Sequence, residues 1–343
     1  MRRAIANWFV VLCDTRNDNR RSGIDPISSL GQLATAMSDF LNVTLGKIRE
    51  RSPDYADRLE RQFQGLDDTF FARAEELIGT FDRFLRARGR DLDYGVDCHL
   101  KLCDSMVRHR IEFMRTGAYP NRSFDEVRRS VYANPGIMEY HMFGLVLAQI
   151  FWHEQYARYC FFMDRLPAYR DQVHSYLEVG GGHAWYVTSA VKLLQPATRF
   201  DLLDISETSI DLAKGLSPND RVNYILADIQ ELPANRRYDF IGIGEVIEHL
   251  EQPLALLQKV RGMLSGDGRA FISAPTNSPT VDHIYLFNNA QEIRDLLGAA
   301  GFEITAEATR YSEDLPERKA IKYKTAQMFA AFVRKQPQYR TAE

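Results

Sequence analysis

The chain has 343 residues, 45% of them apolar and 26% charged, room for two domains of ordinary globular composition. A net charge of −3 gives no global attraction to nucleic acid or to an anionic membrane surface. Four cysteines, Cys13, Cys98, Cys103 and Cys160, are too few for a disulfide framework, and no apolar run reaches bilayer-spanning length.

In chain order, MRRAIANWFVVLCDT sets two arginines before a short apolar run. It lacks a small-residue cleavage site and leads at once into Arg16–Arg21, so a signal peptide is not expected and the location is taken as cytoplasmic and reduced. Residues 1–25 read as a lead-in. From Pro26 the pattern turns helical. Ile27, Leu30, Leu33, Met37 and Leu41 make one stripe, and Phe70, Leu77, Phe81 and Leu85 a second. His99, Leu100, Cys103, Met106 and Ile111 make a third, within Asp91–Arg115. Gly65, Gly89, Gly117 and Pro120 punctuate these runs. Cys98 and Cys103, with His99 between them, do not have the spacing of a structural zinc site and read as buried or surface thiols. Residues 26–170 are expected to form an α-helical domain. Its last part, Tyr132–Phe162, is rich in aromatic residues and carries Trp152, His153 and Tyr156. That surface is either plain core or the cover of a ligand cleft whose substrate contacts are those three residues.

At Ser175 the period changes. Short apolar runs alternate with helical segments: YLEV, FDLLD, VNYILAD, YDFIGIG, RAFISAP, FEITAEA and TAQMFAAFV. Such alternation predicts an α/β fold, a parallel sheet covered by helices on both faces, over residues 171–343. The first run ends in Gly180, Gly181 and Gly182 before a helical stretch. A strand, a tight glycine turn and a helix start together suit a polar or anionic ligand group. The dinucleotide fingerprint G-x-G-x-x-G is not met, because no glycine stands three residues after Gly182. Ligands of open α/β sheets bind at the carboxyl ends of the strands. Asp204 and Asp228 end the second and third runs.

The pattern E-x-G-x-G-x-A, formed by Glu178, Gly180, Gly182 and Ala184, resembles the first motif of the class I S-adenosylmethionine (SAM)-dependent methyltransferases. The resemblance covers about the second half of the chain. It implies a Rossmann-like, doubly wound sheet of seven strands in the order 3-2-1-4-5-7-6, with Thr325–Val333 as the antiparallel seventh strand and Tyr311–Lys324 as the loop before it. It also implies SAM as cofactor. Gly180 and Gly182 would admit the methionine portion, with Glu178 orienting the loop and Glu245 at the rim. Asp204, next to Ile205, would take the ribose hydroxyls, and Asp228 the adenine amino group with Ile229 against the ring.

The stretch GEVIEHLEQP, after the fourth run, also resembles the E-x-x-E-H metal motif of the small-RNA 3′-terminal 2′-O-methyltransferases. By that resemblance Glu245, Glu248 and His249, with His283 downstream, would hold a divalent Mg, Mn, Fe, Co or Zn ion. Helical spacing would put the first three on one face. Without a metal, His249 or His283 is the general-base candidate, with Glu248 beside it. The expected acceptor is a small polar metabolite or natural-product precursor, methylated on oxygen or carbon. An ion could chelate its vicinal oxygens or hold a 2-oxo acid. The alternatives are RNA 3′-terminal 2′-O-methylation, N-methylation of an amino acid or amine, and non-catalytic SAM binding. Basic clusters at Arg108–Arg110 and Arg128–Arg129 do not outweigh the acidic net charge, so RNA is the weaker partner. No membrane partner is expected, and the helical domain offers a surface for a homodimer.

Overall fold

The computed structural model describes residues 39–233 and 235–337. The lead-in over 1–25, and Ile27, Leu30, Leu33 and Met37 of the first stripe, lie outside the described residues. The chain divides into two compact units, one ending at Arg83 and one beginning at Phe84.

In the first unit, α1 (Asp39–Arg51) and α2 (Pro53–Phe63) precede α3 (Asp68–Arg86), which runs on into the second. Leu41, Ile48, Ala56, Leu59 and Phe70 are buried there. Proline at the first position of α2 is tolerated because that N–H needs no helical partner.

The second unit opens with α4 (Leu92–Thr116). Asp91 caps it by accepting from Tyr94 N at 3.1 Å, and Gly117, at φ 72°, ends it. The buried stripe differs from the expected one: Val96, His99, Leu102 and Phe113 face inward, while Ile111 is half exposed. The reason is α5 (Pro135–Phe151), which meets α4 at Gly144. A Cβ on Gly144 would stand 2.9 Å from the Cys98 carbonyl and 3.0 Å from Leu102 Cβ, so the face carrying those residues is the one that closes. His99 adds a 3.0 Å hydrogen bond from Nδ1 to the Gly144 carbonyl. Arg110, further along α4, donates to the Lys324 carbonyl at 2.7 Å and the Tyr323 carbonyl at 2.5 Å, and reaches that of Asn277 at 3.5 Å.

The strands are β1 (Ser175–Val179), β2 (Arg199–Asp204), β3 (Val222–Leu226), β4 (Tyr238–Gly244), β5 (Leu264–Thr276), β6 (Phe302–Tyr311) and β7 (Gln327–Lys335). They form one seven-stranded sheet in the order β3-β2-β1-β4-β5-β7-β6, as the resemblance implies. β1 to β5 pair in parallel, and β7 runs antiparallel to both β5 and β6. The seventh strand starts two residues later than expected, and the segment before it contains a short helix, Glu317–Lys322, rather than a plain loop.

Period-two alternation gives the sheet two unlike faces. From β4, Phe240 joins Phe162, Phe271 and Phe332 in an aromatic layer under α6 (His153–Arg165), while Ile241 and Ile243 enter the aliphatic core against α9 (Pro253–Met263) and α10 (Ala290–Ala299). Much of the aromatic stretch is therefore core. Among the described residues, no helix is long and apolar enough to cross a membrane.

Candidate active site

The glycine turn follows β1 as expected. Gly180 adopts φ 70°, and its N–H donates to the Leu203 carbonyl at 2.8 Å. A Cβ there would stand 2.4 Å from Val246 Cγ2. A Cβ on Gly182 would stand 2.4 Å from Met142 Cε, so α5 reaches over the turn. Ala184 takes the left-handed conformation, φ 54°, ahead of α7 (Trp185–Leu193). The backbone thus turns where the motif's last small residue falls, at a conformational cost of about 1–2 kcal/mol for an L-residue.

Glu178 is buried beneath this turn and accepts from Tyr176 Oη at 3.0 Å. Burial pushes its carboxyl up to about 8. A small cleft lies beside the turn, lined by Arg158, Glu178, Gly180, Gly181, His183 and Tyr186. Burial, then the Arg158 charge, pushes the His183 imidazole down to about 3.

Asp204 ends β2 and accepts from Ser206 N at 2.9 Å, at the start of α8 (Glu207–Leu216). Burial raises its carboxyl to about 6. Ile205, beside it, is exposed. Asp228, beyond the end of β3, accepts from Gln230 N at 2.8 Å, with Ile229 buried next to it. The N–H of Ala227 donates to the Asp204 carbonyl at 3.1 Å, which joins the two strand ends at one rim. Each aspartate therefore caps a turn and stands at the sheet's carboxyl edge.

Glu248, His249 and His283 come together, their ligand-capable atoms all within 4.8 Å of one another. The framework is backbone: the Glu248 carbonyl accepts from Ile284 N at 3.0 Å and Tyr285 N at 2.9 Å, which locks the turn Ile247–His249 to the loop after β5. Both imidazoles are oriented by carbonyls. His283 Nδ1 donates to the Ser278 carbonyl at 2.6 Å, and His249 Nδ1 to the Asp282 carbonyl at 3.1 Å. A carbonyl can only accept, so each Nδ1 carries a proton, and in the neutral imidazole Nε2 keeps its lone pair. Both Nε2 atoms face Glu248 Oε1, at 3.8 and 3.9 Å. Glu248 is fully buried, and neither carboxylate oxygen has a hydrogen-bond partner. Burial, with the Glu245 charge adding to it, pushes its carboxyl well above the usual range. Burial, then His249, pushes His283 down to about 3. Three potential ligand atoms thus converge without a hydrogen bond between any two of them.

The expected shared face for Glu245, Glu248 and His249 does not form. Ile247–His249 is a single 3-10 turn, and Glu245 precedes it in the left-handed region at φ 56°. Glu245 lies instead 2.8 Å from Arg158 Nη1, with Ser273 Oγ donating to it at 3.3 Å. It is outside the group of three convergent ligand atoms.

Trp152, His153 and Tyr156 do not line the cavity or the histidine cluster. Trp152 packs near the His99 ring, His153 Nε2 meets the Tyr311 carbonyl at 2.9 Å, and Tyr156 lies against Tyr159. The helices contribute other residues. His141 lies 3.7 Å from Asp282 Oδ2, Tyr132 Oη 3.4 Å from His249 Nδ1, and Arg158 is buried at the cavity wall. Sequence reasoning missed all three. Asp282 had a visible signal, its place beside His283.

Residues 151–307 match the family model described as a methyltransferase domain. The match assigns a methyltransferase domain to this part of the chain, and the sheet order above is the one that the resemblance to the class I SAM-dependent methyltransferases implies. A malonyl-[acyl-carrier protein] O-methyltransferase of Halalkalibacterium halodurans is 27% identical over 109 residues, which cover 30% of this chain and 40% of that protein. One from Ilyobacter polytropus is 28% identical over 103 residues, covering 29% and 37%. The matched stretch thus spans two fifths or less of these curated relatives. Among solved structures, the mitomycin 7-O-methyltransferase MmcR is similar at a TM-score of 0.46 and 13% identity, over 67% of each chain.

Proposed function

We propose that the protein transfers the methyl group of SAM to an oxygen or carbon of a small polar acceptor, a metabolite or natural-product precursor, bound beside Glu248, His249 and His283. The observation that carries the reading is the rim itself: the glycine turn, Glu178, Asp204 and Asp228 stand in one line at the carboxyl ends of β1, β2 and β3. The turn suits the methionine end, Asp204 the ribose diol and Asp228 the adenine amino group. The sulfonium is already activated, so alignment of the acceptor is the main task left to the protein. Residues 135–165 then act as cover, with Met142 over the glycine turn. The malonyl-carrier O-methyltransferases that it resembles are in keeping with methylation on oxygen.

The convergent trio fits a divalent cation. A fully buried carboxyl without a hydrogen-bond partner and two imidazole nitrogens are a ligand set; ligands at about 2.1 Å from one ion lie roughly 3–4 Å apart, so a trio held within 4.8 Å would draw in slightly around it. Glu248, His249 and His283 would hold the ion, which would supply Lewis acidity to an acceptor oxygen. The preference is for Zn, Mn, Fe or Co over Mg, given two nitrogen donors. Without an ion, the bare Nε2 atoms of His249 and His283 are placed to accept an acceptor proton.

The test is calorimetric binding of SAM and its product S-adenosylhomocysteine (SAH), then labelled-SAM turnover on a metabolite extract with mass spectrometry. Saturable binding and a labelled small product are expected. Absence of cofactor binding would sink the reading. Metal content of purified wild type against E248L, by elemental analysis, tests the ion independently of activity.

A further inference from the structure

One buried carboxylate beside the histidine pair has no part in the roles above. Asp282 is 4% exposed and directly precedes His283. Thr280 Oγ1 donates to its Oδ1 at 2.7 Å. The other oxygen, Oδ2, faces two imidazoles, with His249 Nδ1 at 3.4 Å and His141 Nε2 at 3.7 Å. Among the described residues, imidazoles are its only ion-pair partners within 4 Å. The His249 ring therefore lies between two acids. Its Nδ1 edge meets Asp282, and its Nε2 edge stands 3.9 Å from Glu248 Oε1. Tyr132 Oη, 3.4 Å from the same Nδ1, closes the outer edge. His141 comes from α5, and its buried Nδ1 makes no hydrogen bond.

We propose that Asp282 is a positioning residue of the cation centre: its carboxylate stands behind His249, orients the ring and makes Nε2 a stronger ligand. The inference rests on the cation reading above and goes beyond its three ligands. A ring N–H that faces a carboxylate leaves the far nitrogen richer in electrons, and metal-bound imidazoles are commonly supported in this way. The backbone alone does not call for an acid here. The Asp282 carbonyl already accepts from His249 Nδ1 at 3.1 Å, and any residue would supply that carbonyl. What aspartate adds is charge. Burying a charge with no lysine or arginine beside it is costly unless something positive offsets the cost. A divalent ion held by Glu248, His249 and His283 does so, because the carboxylates of Glu248 and Asp282 together balance its charge. His141 shares Oδ2 with His249, so the same acid ties α5 to the centre.

The experiment titrates zinc alone into metal-free wild type, D282N, D282E and E248L, in competition with a chromophoric chelator. The visible absorption of each protein loaded with cobalt is recorded beside it. D282N keeps the size of the side chain and the backbone carbonyl on His249, and removes the charge. E248L sets the level of uptake at sites elsewhere on the chain. Zinc affinity of D282N is expected to fall about 10- to 100-fold, the usual cost of losing such an outer partner. D282E should recover part of it, and the cobalt absorption of D282N should differ from that of wild type. Melting in chelator and SAH titration report whether the fold of D282N is intact. A fall in zinc affinity matched by an equal loss of SAH binding would assign Asp282 to holding the fold and overturn the proposal. Unchanged zinc affinity and cobalt absorption in D282N would overturn it alone, leaving the cation reading standing. Wild type that takes up no more zinc than E248L would remove both.

Discussion

One substitution, glycine to alanine, is expected to act in opposite directions at two places. At Gly180 the backbone has φ 70°, and a Cβ would stand 2.4 Å from Val246 Cγ2. Left-handed backbone costs an L-residue about 1–2 kcal/mol, and forced overlap in a packed site about 1–3 kcal/mol. Val246 cannot readily withdraw, because it packs against the aliphatic core. The lower entropy of the unfolded chain returns about 0.4–1 kcal/mol. G180A is therefore expected to lose about 2–4 kcal/mol. At Gly298, in α10, nothing lies within 4 Å of an added Cβ and the backbone is helical. G298A is expected to gain about 0.5–1 kcal/mol. Urea unfolding of both variants, followed by SAH titration, reads the contrast. G180A should also lose cofactor affinity, and G298A should keep it. If G180A matched wild type in stability, or G298A lost as much as G180A, the account of the glycine turn would be refuted.

Three further outcomes are expected. In chelator, E248L should be more stable than wild type by about 1–3 kcal/mol, since it removes a buried carboxylate without partners. Zinc or manganese should raise the melting temperature of wild type and not of the variant, and a chelated E248L melting below wild type would contradict this. Between about pH 6.5 and 8, stability of the cofactor-free protein should fall. Burial raises the carboxyls of Glu178 to about 8 and Glu154 to about 7 from 4.5, so the folded state keeps protons that the unfolded state has released. Each contribution is intact below the unfolded value and is lost as pH rises toward the folded one. The opposite pull of His183 and His283, both lowered to about 3 from 6.5, is complete above pH 6.5. Denaturant titrations across that range should show a shallower fall for E178Q, and an identical slope would count against the buried-acid explanation. D204A should weaken SAH by about 10-fold or more if its carboxylate accepts from the ribose diol. Full affinity in that variant would remove Asp204 from the site.

The sheet was legible because its signals are local. Each parallel strand contains a short apolar run, all but the third lead on to an α-helix before the next strand, and the acids fall at run ends, so Asp204 and Asp228 could be placed by counting. The helical face of α4 was misjudged for a non-local reason. Which of its stripes turns inward depends on where Gly144 lets α5 approach, and periodicity alone cannot fix that phase. Glu245 shows the same limit at the site. Its spacing to Glu248 and His249 is helical, but its left-handed backbone sends the side chain to Arg158, a partner 87 positions back in the chain. Arg158 itself was hidden among aromatics that do serve as core, and only the fold reveals that one buried member of that stretch is charged and faces the cavity.

The grip of Arg110 has a mechanical consequence. One guanidinium on α4 ties down the carbonyls of Tyr323 and Lys324, just ahead of β7, and reaches that of Asn277, just beyond β5. Those points flank the antiparallel edge of the sheet, so the helix is riveted to that side. Swinging α4 outward there would rupture several charge-assisted contacts at once. Any admission of a bulky guest must therefore come from motion elsewhere, with this corner serving as the fixed pivot.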